Sequence, residues 1–524
     1  NVGGKNAIVG NKMFVYFEND HISFDEQIRS SLTEVLVNKM VRRGDWKKVV
    51  KSSSTVKLPD WFSKGLYSYK STQWNAKINN IIKDGILSHK YDKLGRLSNE
   101  DALFAGHAMW NYIAQVYGEE VIPQIIYLVS VSKSFESSFR FVIGKTSKGL
   151  NQDFVNYYKK LYKKEEEIKK MPLQNEIPLK YRKKKGKITQ FKISPDGTKV
   201  AYSTNELGKY FIWIYDIATE KYTRVLRRGF KVEREIDETY PLLDWHPNGN
   251  ILAYVEERRG AVNFNFYYLD SKNTNKIEVP RISKITSFSY NHLGTQFVFT
   301  GVQKGSIDLF LYTIVGNGYK KLTNDIFDER NPSFIENSSK IIFSSNRKND
   351  SLFLKTELKP FDYNYDIYIL EINKKFQRTL KRVTNTPSIN EDKPFEKSRF
   401  EYVYISDEGG SFNRHTAVFD STISAVDTVI SYRYFSKTST LTDYKRSVLD
   451  FDYSSASKKI GMLMLHEDEY KIYLGGIGLD KMINSPGDDS SFEEKTYTKK
   501  KSTVEILDVN PIIEDKSIIK TTKY

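Results

Sequence analysis

The sequence predicts a multidomain protein of the α plus all-β class, in which a mainly helical N-terminal domain is followed by a six-bladed β-propeller. Three observations support this prediction. Residues 1–170 carry apolar side chains at helical spacing, and residues 188–476 repeat a pattern of short alternating strands. The length of 524 residues also exceeds what one hydrophobic core normally organises. We therefore expect the helices and the strands to form separate domains.

The composition is compatible with a large β core and excludes several kinds of site. Of all residues, 39% are hydrophobic and 14% aromatic, with 35 Tyr and 31 Phe, whose rings pack well on pleated strands. The chain contains no Cys, so disulfides, thiolate zinc sites and cysteine nucleophiles are excluded. No apolar run approaches the roughly 18 residues of a membrane span, so no transmembrane segment is expected.

The formal net charge is +16, from 81 Lys and Arg against 65 Asp and Glu. An excess of this size attracts polyanions or an anionic membrane surface. The basic residues are spread along the chain and are mostly Lys, so a solvated surface is the simpler interpretation. Because no nucleic-acid-binding module is recognised, nucleic acid is not an expected partner.

Residues 1–170 form the predicted helical domain. After one short strand at 13–17, a capped helix carries five apolar residues at the spacing of a single buried face: Ile28, Leu32, Val35, Leu36 and Met40. Further helices are predicted at 74–87, at 98–118, up to residue 144, and at 151–170. Small residues between Ala102 and Ala108 would let the helix at 98–118 approach a neighbouring helix closely.

Residues 171–187 are predicted to be a basic linker, and residues 477–524 an extended polar tail. The linker contains two prolines and a basic run of candidate partner-binding residues: Arg182, Lys183, Lys184 and Lys185. A basic run without interleaved aromatic residues is more often a solvated connector than a phosphate-binding site. In the tail, residues 503–507 have a strand pattern that would close the propeller or dock on a partner.

The repeat unit is clearest at residues 191–202. Apolar and polar residues alternate, break at Pro195-Asp-Gly197 and alternate again, as two antiparallel strands joined by a tight turn require. Aligning the strand after each turn gives six equivalent positions at intervals of about 44 to 61 residues: Lys199, Ile251, Gln296, Lys340, Glu401 and Lys459. Each interval accommodates four short strands, which predicts six blades over residues 188–476.

Four segments of the β domain share a recurring pattern: Ser194-Pro-Asp-Gly197, His246-Pro-Asn-Gly249, Phe343-Ser-Ser-Asn-Arg347 and Asp366-Ile-Tyr-Ile-Leu-Glu371. This pattern resembles the repeats of the TolB-type six-bladed propeller, of the PD40 or WD40-like kind, over residues 188–476. The resemblance implies a propeller that serves as a binding platform, with a central funnel that could take a peptide.

Two segments of the helical domain carry a second resemblance. They read Ile28-Arg-Ser-Ser-Leu-Thr-Glu-Val-Leu36 and Leu58-Pro-Asp-Trp-Phe-Ser-Lys-Gly-Leu-Tyr-Ser-Tyr69. In frame, order and spacing they resemble the catalytic region of gluzincin metallopeptidases of the peptidase MA type, as found in propeller-bearing envelope proteins of Bacteroidetes-like bacteria. In that family, two histidines and a later glutamate bind zinc, and a glutamate beside the first histidine activates water.

The positions that carry this chemistry are substituted. Ser30 and Glu34 stand where the family has its two histidines, Ser31 stands at the base, and Lys64 stands at the third ligand. A lysine ammonium repels a divalent cation and could pair with Glu34 instead. The resemblance therefore implies a pseudopeptidase without catalytic residues, metal or cofactor. The alternative interpretation is that an amphipathic helix and a Pro-Asp-Trp turn coincide by chance.

Other chemistries are weaker alternatives. A metal-dependent peptidase with atypical ligands would use Glu34 with His89 or His107, although none of the seven histidines lies near another at ligand spacing. His107 is more readily interpreted as a packed or surface histidine than as a catalyst. The loop at 407–410 reads Asp-Glu-Gly-Gly and could bind calcium, but it fits a polar blade-edge loop better. A polyanion- or cell-wall-binding protein that uses the basic linker is a further alternative.

From these features we predict a non-catalytic protein-binding scaffold or adaptor of the bacterial cell envelope. The resemblances imply a location in the periplasm or at the outer membrane. They also imply partners that are other proteins, such as subunits of an outer-membrane or secretion assembly. No cofactor is expected.

Overall fold

Seven α-helices and 26 β-strands follow one another in the parts of the chain that the computed structural model describes. These parts are residues 7–9, 12–15, 21–42, 58–181, 186–230, 239–348, 364–372, 379–426 and 430–477. The candidate residues Arg182, Lys183, Lys184 and Lys185, and the predicted strand at 503–507, lie outside them. The order of helices first and then six four-stranded sheets confirms the predicted α plus all-β class.

The helical region begins with a small hairpin of β1 (Ala7–Val9) and β2 (Lys12–Phe14). The helices are α1 (His21–Arg42), α2 (Asp60–Ser71), α3 (Ala76–Leu87), α4 (Asn99–Tyr117), α5 (Val121–Ser132), α6 (Phe135–Ile143) and α7 (Ser147–Ile168). Side-chain caps help to set their starts. The Asn75 side chain accepts a hydrogen bond from the Ile78 N–H, and the Thr146 hydroxyl accepts one from the Gly149 N–H.

The closest helix contact joins α2 and α4. A Cβ atom on Gly106 would lie 1.9 Å from the carbonyl oxygen of Trp61, and one on Gly65 would lie 2.4 Å from the Gly106 backbone. The Trp110 indole donates a hydrogen bond of 2.9 Å to the Phe62 carbonyl, and its ring meets the Phe62 ring edge-on. This confirms the close helix approach expected from the small residues of α4.

The buried face of α1 differs from the prediction. Val37 and Val41 are buried, whereas Leu32, Leu36 and Met40 of the predicted buried stripe are 52%, 54% and 42% exposed. The prediction was wrong because α1 carries apolar residues on two different faces. Periodicity finds both faces but does not say which one meets the neighbouring helices α2 and α5.

The β domain contains six antiparallel blades of four strands. Blade 1 has β4 (Lys187–Ile193), β5 (Lys199–Glu206), β6 (Lys209–Asp216) and β7 (Lys221–Arg228), and blade 2 has β8 (Leu242–Trp245), β9 (Ile251–Arg258), β10 (Ala261–Tyr268) and β11 (Thr274–Glu278). Blade 3 has β12 (Lys284–Tyr290), β13 (Gln296–Gln303), β14 (Ser306–Thr313) and β15 (Gly318–Lys321), and blade 4 has β16 (Glu329–Ile335), β17 (Lys340–Ser345), β18 (Asp366–Glu371) and β19 (Leu380–Arg382). Blade 5 has β20 (Glu391–Ser398), β21 (Glu401–Ser406), β22 (Asn413–Val426) and β23 (Ile430–Thr440), and blade 6 has β24 (Val448–Ser454), β25 (Lys459–His466), β26 (Glu469–Gly476) and β3 (Asn175–Ile177).

The predicted repeat alignment agrees with the blades at the one position per repeat that it specified. The second strand of each blade begins at the predicted position: Lys199, Ile251, Gln296, Lys340, Glu401 and Lys459. The turn that precedes each second strand fixes this agreement, and these strands then bury consecutive residues because both of their faces meet a neighbouring blade. Between blades 2 and 3, for example, the Phe264 and Phe297 rings stack with centroids 4.6 Å apart.

The ring is closed by a strand that precedes blade 1. In blade 6, β3 pairs antiparallel with β26, so that Ile177 lies opposite Ile472. The segment 171–187, predicted as a linker, therefore contributes the outer strand of the last blade. Because the chain on both sides of the propeller sequence joins in one sheet, the ring is closed by main-chain hydrogen bonds.

Candidate functional site

Four residues that the sequence analysis singled out lie on two helices that contact each other, α1 and α2: Ser30, Ser31, Glu34 and Lys64. Ser31 is buried, while Ser30 and Glu34 are partly exposed. The Lys64 ammonium lies 2.7 Å from the carboxylate of Asp60, one turn earlier on α2. The sequence suggested Glu34 as the ion-pair partner of Lys64, but the carboxylate beside Lys64 is that of Asp60.

The histidines considered as atypical ligands lie in different environments. His89 is exposed and its Nδ1 lies 3.0 Å from Asp92, whereas His107 is buried in α4. Within the described residues, no group of three or more His, Asp or Glu side chains is placed to hold a metal ion.

His107 is packed within the helical core. Its Nδ1 lies 2.9 Å from the hydroxyl of Ser68, and the rings of Tyr69 and Trp74 lie 5.8 Å from its ring. Burial lowers the pKa of His107 to about 4, so the imidazole is neutral at pH 7. His107 is therefore a packed histidine, as one interpretation of its sequence context predicts.

The loop at 407–410 forms part of a contact between the helical region and the propeller. The Asp407 carboxylate accepts hydrogen bonds from the backbone and side chain of Asn390, and burial raises the pKa of Asp407. The Gly410 carbonyl accepts a hydrogen bond of 2.9 Å from the Asn79 side chain of α3. The loop therefore behaves as a polar blade-edge loop with protein partners.

Asp84 of α3 is the central acceptor between the helical region and blade 6. It is buried, and its two carboxylate oxygens accept hydrogen bonds of 2.8 Å from the backbone N–H groups of Glu467 and Asp468. These two residues form the turn between β25 and β26 at φ values of 59° and 60°. The Arg446 guanidinium lies 3.7 Å from the same carboxylate. A buried carboxylate thus holds a strained turn of the propeller.

Further charged contacts surround Asp84. Arg446 also donates to Glu166 of α7, and the buried Lys83 ammonium lies 2.7 Å from Glu165. Burial alone would raise the pKa of Glu166, but the hydrogen bond and charge of Arg446 outweigh it and lower the pKa. Paired and buried charges of this kind fix the position of the helices on the blade.

Side chains from neighbouring blades satisfy the inner strands of the propeller. Several inner-strand N–H groups donate to a side chain of the adjacent blade, including Leu243 to Gln190, Tyr290 to Asp244, Asn331 to Ser287 and Ile193 to Asp452. Inner strands are sheet edges, whose N–H groups would otherwise lack partners. At these positions a peptide in the funnel would meet side chains rather than free strand N–H groups.

Charged pairs line the same inner strands. Lys192 lies 2.9 Å from Asp452, and Lys393 lies 2.6 Å from Asp450. Burial opposes the charge on Lys192, but Asp452 and Asp244 outweigh it and raise the Lys192 pKa. Burial also raises the pKa of Asp244 to about 6, against the opposing effect of Lys192. At these two positions, each lysine charge is therefore matched by a carboxylate of the neighbouring blade.

The helical region carries an apolar groove of about 640 Å³ between α1, α5 and α6. Met40, Tyr127 and Phe141 line it, and the last two are 60% and 81% exposed. Leu32 and Leu36 continue the exposed face of α1 beyond Met40. We call this set the helical apolar surface: Leu32, Leu36, Met40, Tyr127 and Phe141.

The sequence contained part of the signal for this surface. The spacing of Leu32, Leu36 and Met40 correctly predicts that they share one helical face. It does not reveal that this face is exposed rather than buried. Tyr127 and Phe141 come from two other helices, so their proximity to Met40 depends on tertiary packing that periodicity does not reveal.

No helix among the described residues combines the length and the apolar character that a membrane crossing demands.

Among solved structures, the chain is similar to TolB of Acinetobacter baumannii, with 16% identity and a TM-score of 0.35, over 55% of this chain and 54% of that one. A TolB-type protein of Agrobacterium tumefaciens has 14% identity and a TM-score of 0.38, over 53% and 88%. The β-propeller domain of the trilobed protease from Pyrococcus furiosus has 14% identity and a TM-score of 0.35, over 56% and 82%. Neither a protein-family model nor a curated protein matches the chain. The match spans about half the length of the Acinetobacter TolB chain, and the six-bladed architecture rests on the strand pairing described above.

Proposed function

We propose that this chain is a non-catalytic protein-binding scaffold or adaptor of the bacterial cell envelope, located in the periplasm or at the outer membrane. The observation that carries the proposal is the helical apolar surface. The partner would be a subunit of an outer-membrane or secretion assembly that presents an amphipathic helix.

The shape of the surface supports a helical partner. Leu32, Leu36 and Met40 follow one another at one-turn spacing along α1, and Tyr127 and Phe141 belong to the other helices that border the groove. An amphipathic helix buries its apolar face in a groove of this kind. Contiguous exposed apolar patches typically mark interaction sites, because covering them removes apolar area from water.

The residues at the peptidase-like positions support a non-catalytic role. Ser31 offers a hydroxyl where a carboxylate would activate water, and Lys64 places a cation where a zinc ligand would stand. Both substitutions work against metal-assisted hydrolysis.

The contact between the helices and the propeller supports a scaffold. Asp84, Arg446 and Lys83 are buried in ionic contacts at or beside this junction. A partner held on α1 and a second partner held on a blade would therefore keep a fixed separation.

Copurification from native membranes tests this proposal. The tagged chain, extracted in mild detergent, is expected to retain a protein partner. The double variant Tyr127→Ser, Phe141→Ser should lose that partner at least tenfold, because two large exposed side chains leave the groove. The matched control is Leu293→Ser, Val315→Ser, which removes two exposed apolar side chains from the propeller.

Two results would contradict the proposal. Equal partner retention by the groove variant and its control would remove the helical apolar surface from the interface. Stoichiometric zinc in the purified protein, with peptide hydrolysis that Glu34→Ala abolishes, would establish the metal-dependent peptidase instead.

A further inference from the structure

One face of the propeller is covered only in part by the helical region. The loops that join the second and third strands of the blades all lie on this face, because each blade repeats the same antiparallel order. In blades 5 and 6 these loops contact α3, through Gly410 and through Glu467 and Asp468. In blades 1 and 2 the corresponding loops are exposed at Leu207 and Arg259, and Arg258 is exposed at the end of β9.

Four basic side chains surround a groove of about 560 Å³ on this exposed part of the face. We call it the blade 1–2 basic groove, and its charged residues are Lys209, Arg227, Arg228 and Arg258. Arg228 lies 3.9 Å from Glu256. Arg227 and Arg258 make no ion pair with any residue that the structure describes. Among the residues that the structure describes, the groove therefore carries more positive than negative charge.

Two exposed apolar side chains stand beside these cations. Phe230 lines the groove and is 86% exposed, and Leu207 is 45% exposed in the turn between β5 and β6. The backbone next to each of them is in close contact, since Gly229 has a φ of 73° and a Cβ there would lie 2.0 Å from the Gly208 carbonyl oxygen. The backbone after β7 thus packs directly on the turn that carries Leu207.

We propose that the blade 1–2 basic groove docks on the surface of an anionic phospholipid membrane. Arg227, Arg228 and Arg258 would bind lipid phosphates, since the guanidinium fork matches phosphate oxygens. Phe230 and Leu207 would enter the boundary between headgroups and acyl chains. A soluble polyanion offers no apolar layer for these two side chains, and this favours a lipid surface. The proposal is independent of the function proposed for the helical apolar surface.

Vesicle co-sedimentation tests the proposal on the full chain. The protein is expected to bind phosphatidylcholine vesicles that contain phosphatidylglycerol and to remain in solution with phosphatidylcholine alone. The triple variant Arg227→Gln, Arg228→Gln, Arg258→Gln should bind at least tenfold more weakly. The matched control Lys221→Gln, Lys272→Gln, Lys458→Gln removes the same charge from exposed residues at the opposite ends of the strands and should bind like the parent chain.

The Phe230→Ser variant separates a membrane from a soluble phosphate ligand. It should weaken vesicle binding severalfold while all four basic residues remain. Competition by inorganic phosphate, together with unchanged vesicle binding by Phe230→Ser, would identify a site for soluble phosphate and overturn the proposal. Equal loss in the groove variant and its control, or no binding to anionic vesicles, would overturn it as well.

Discussion

His107 makes the stability of the helical region depend on pH. Its pKa is about 4 in the folded chain and near the ordinary value of 6.5 in the unfolded chain, so the folded state binds fewer protons between these values. Stability is therefore fully present above pH 6.5 and is lost as the pH falls towards 4. We expect this residue to contribute about 3 kcal/mol of that loss.

Urea unfolding at a series of pH values measures this contribution. The variant His107→Asn, whose amide oxygen can accept from Ser68 in place of Nδ1, should show a free energy of unfolding that falls less between pH 6.5 and 4. His89→Asn, at an exposed position, should retain the slope of the parent chain. Identical slopes for the parent chain and His107→Asn would rule out this role.

The residues of the candidate site differ in how far the sequence could predict them. The identities of Ser30, Ser31, Glu34 and Lys64 follow directly from the chain. The Lys64–Asp60 pair is also local, since the residues lie four apart on one helix. The Ser68–His107 contact joins residues 39 positions apart, so only the packing of α2 against α4 reveals it.

At the scale of elements, the α2–α4 contact depends on Gly106. Replacing it with Ala would place a Cβ 1.9 Å from the Trp61 carbonyl oxygen, so the two helices must move apart. We expect a loss of about 1–3 kcal/mol in the free energy of unfolding. Thermal unfolding should show a lower Tm for Gly106→Ala than for Gly95→Ala, because a Cβ on Gly95 meets no atom within 4 Å. A Tm equal to that of the parent chain would contradict the close contact.

The strands were predicted more completely than the helical faces. Each blade repeats a turn and an alternating strand, so six copies reinforce one another and fix the start of every second strand. The outer strand β3 has only three residues and is defined by its pairing with β26. The buried face of α1 is likewise defined by its neighbours, since the helix itself carries two apolar faces.

At the scale of the whole molecule, Asp84 couples the helical region to blade 6. The Asp84→Ala variant would leave the backbone N–H groups of Glu467 and Asp468 without their acceptor, and Arg446 would keep only its contact with Glu166. We expect a loss of about 1–3 kcal/mol in stability, and faster hydrogen exchange at the amides of Glu467 and Asp468. Chemical unfolding and hydrogen exchange measure these two effects.

Two variants sharpen this prediction. Asp84→Asn keeps one acceptor oxygen and should lose less stability than Asp84→Ala. Asp60→Ala breaks an exposed ion pair and should change the free energy of unfolding by less than about 1 kcal/mol. If Asp84→Ala left the exchange of both turn amides unchanged, the carboxylate would not be what holds the turn.

The closing strand also has a consequence for how the protein is made. Because β3 pairs with β26, Ile177 leaves the ribosome about 300 residues before its partner Ile472. The first five blades can form their own sheets during this interval, but the sixth must wait for the end of the propeller sequence. Completion of the ring is therefore a late, long-range event, and topology of this kind folds slowly. Before β3 and β26 pair, the unpaired edges of both strands are available to other strands. Nascent chains would therefore benefit from protection before the ring closes.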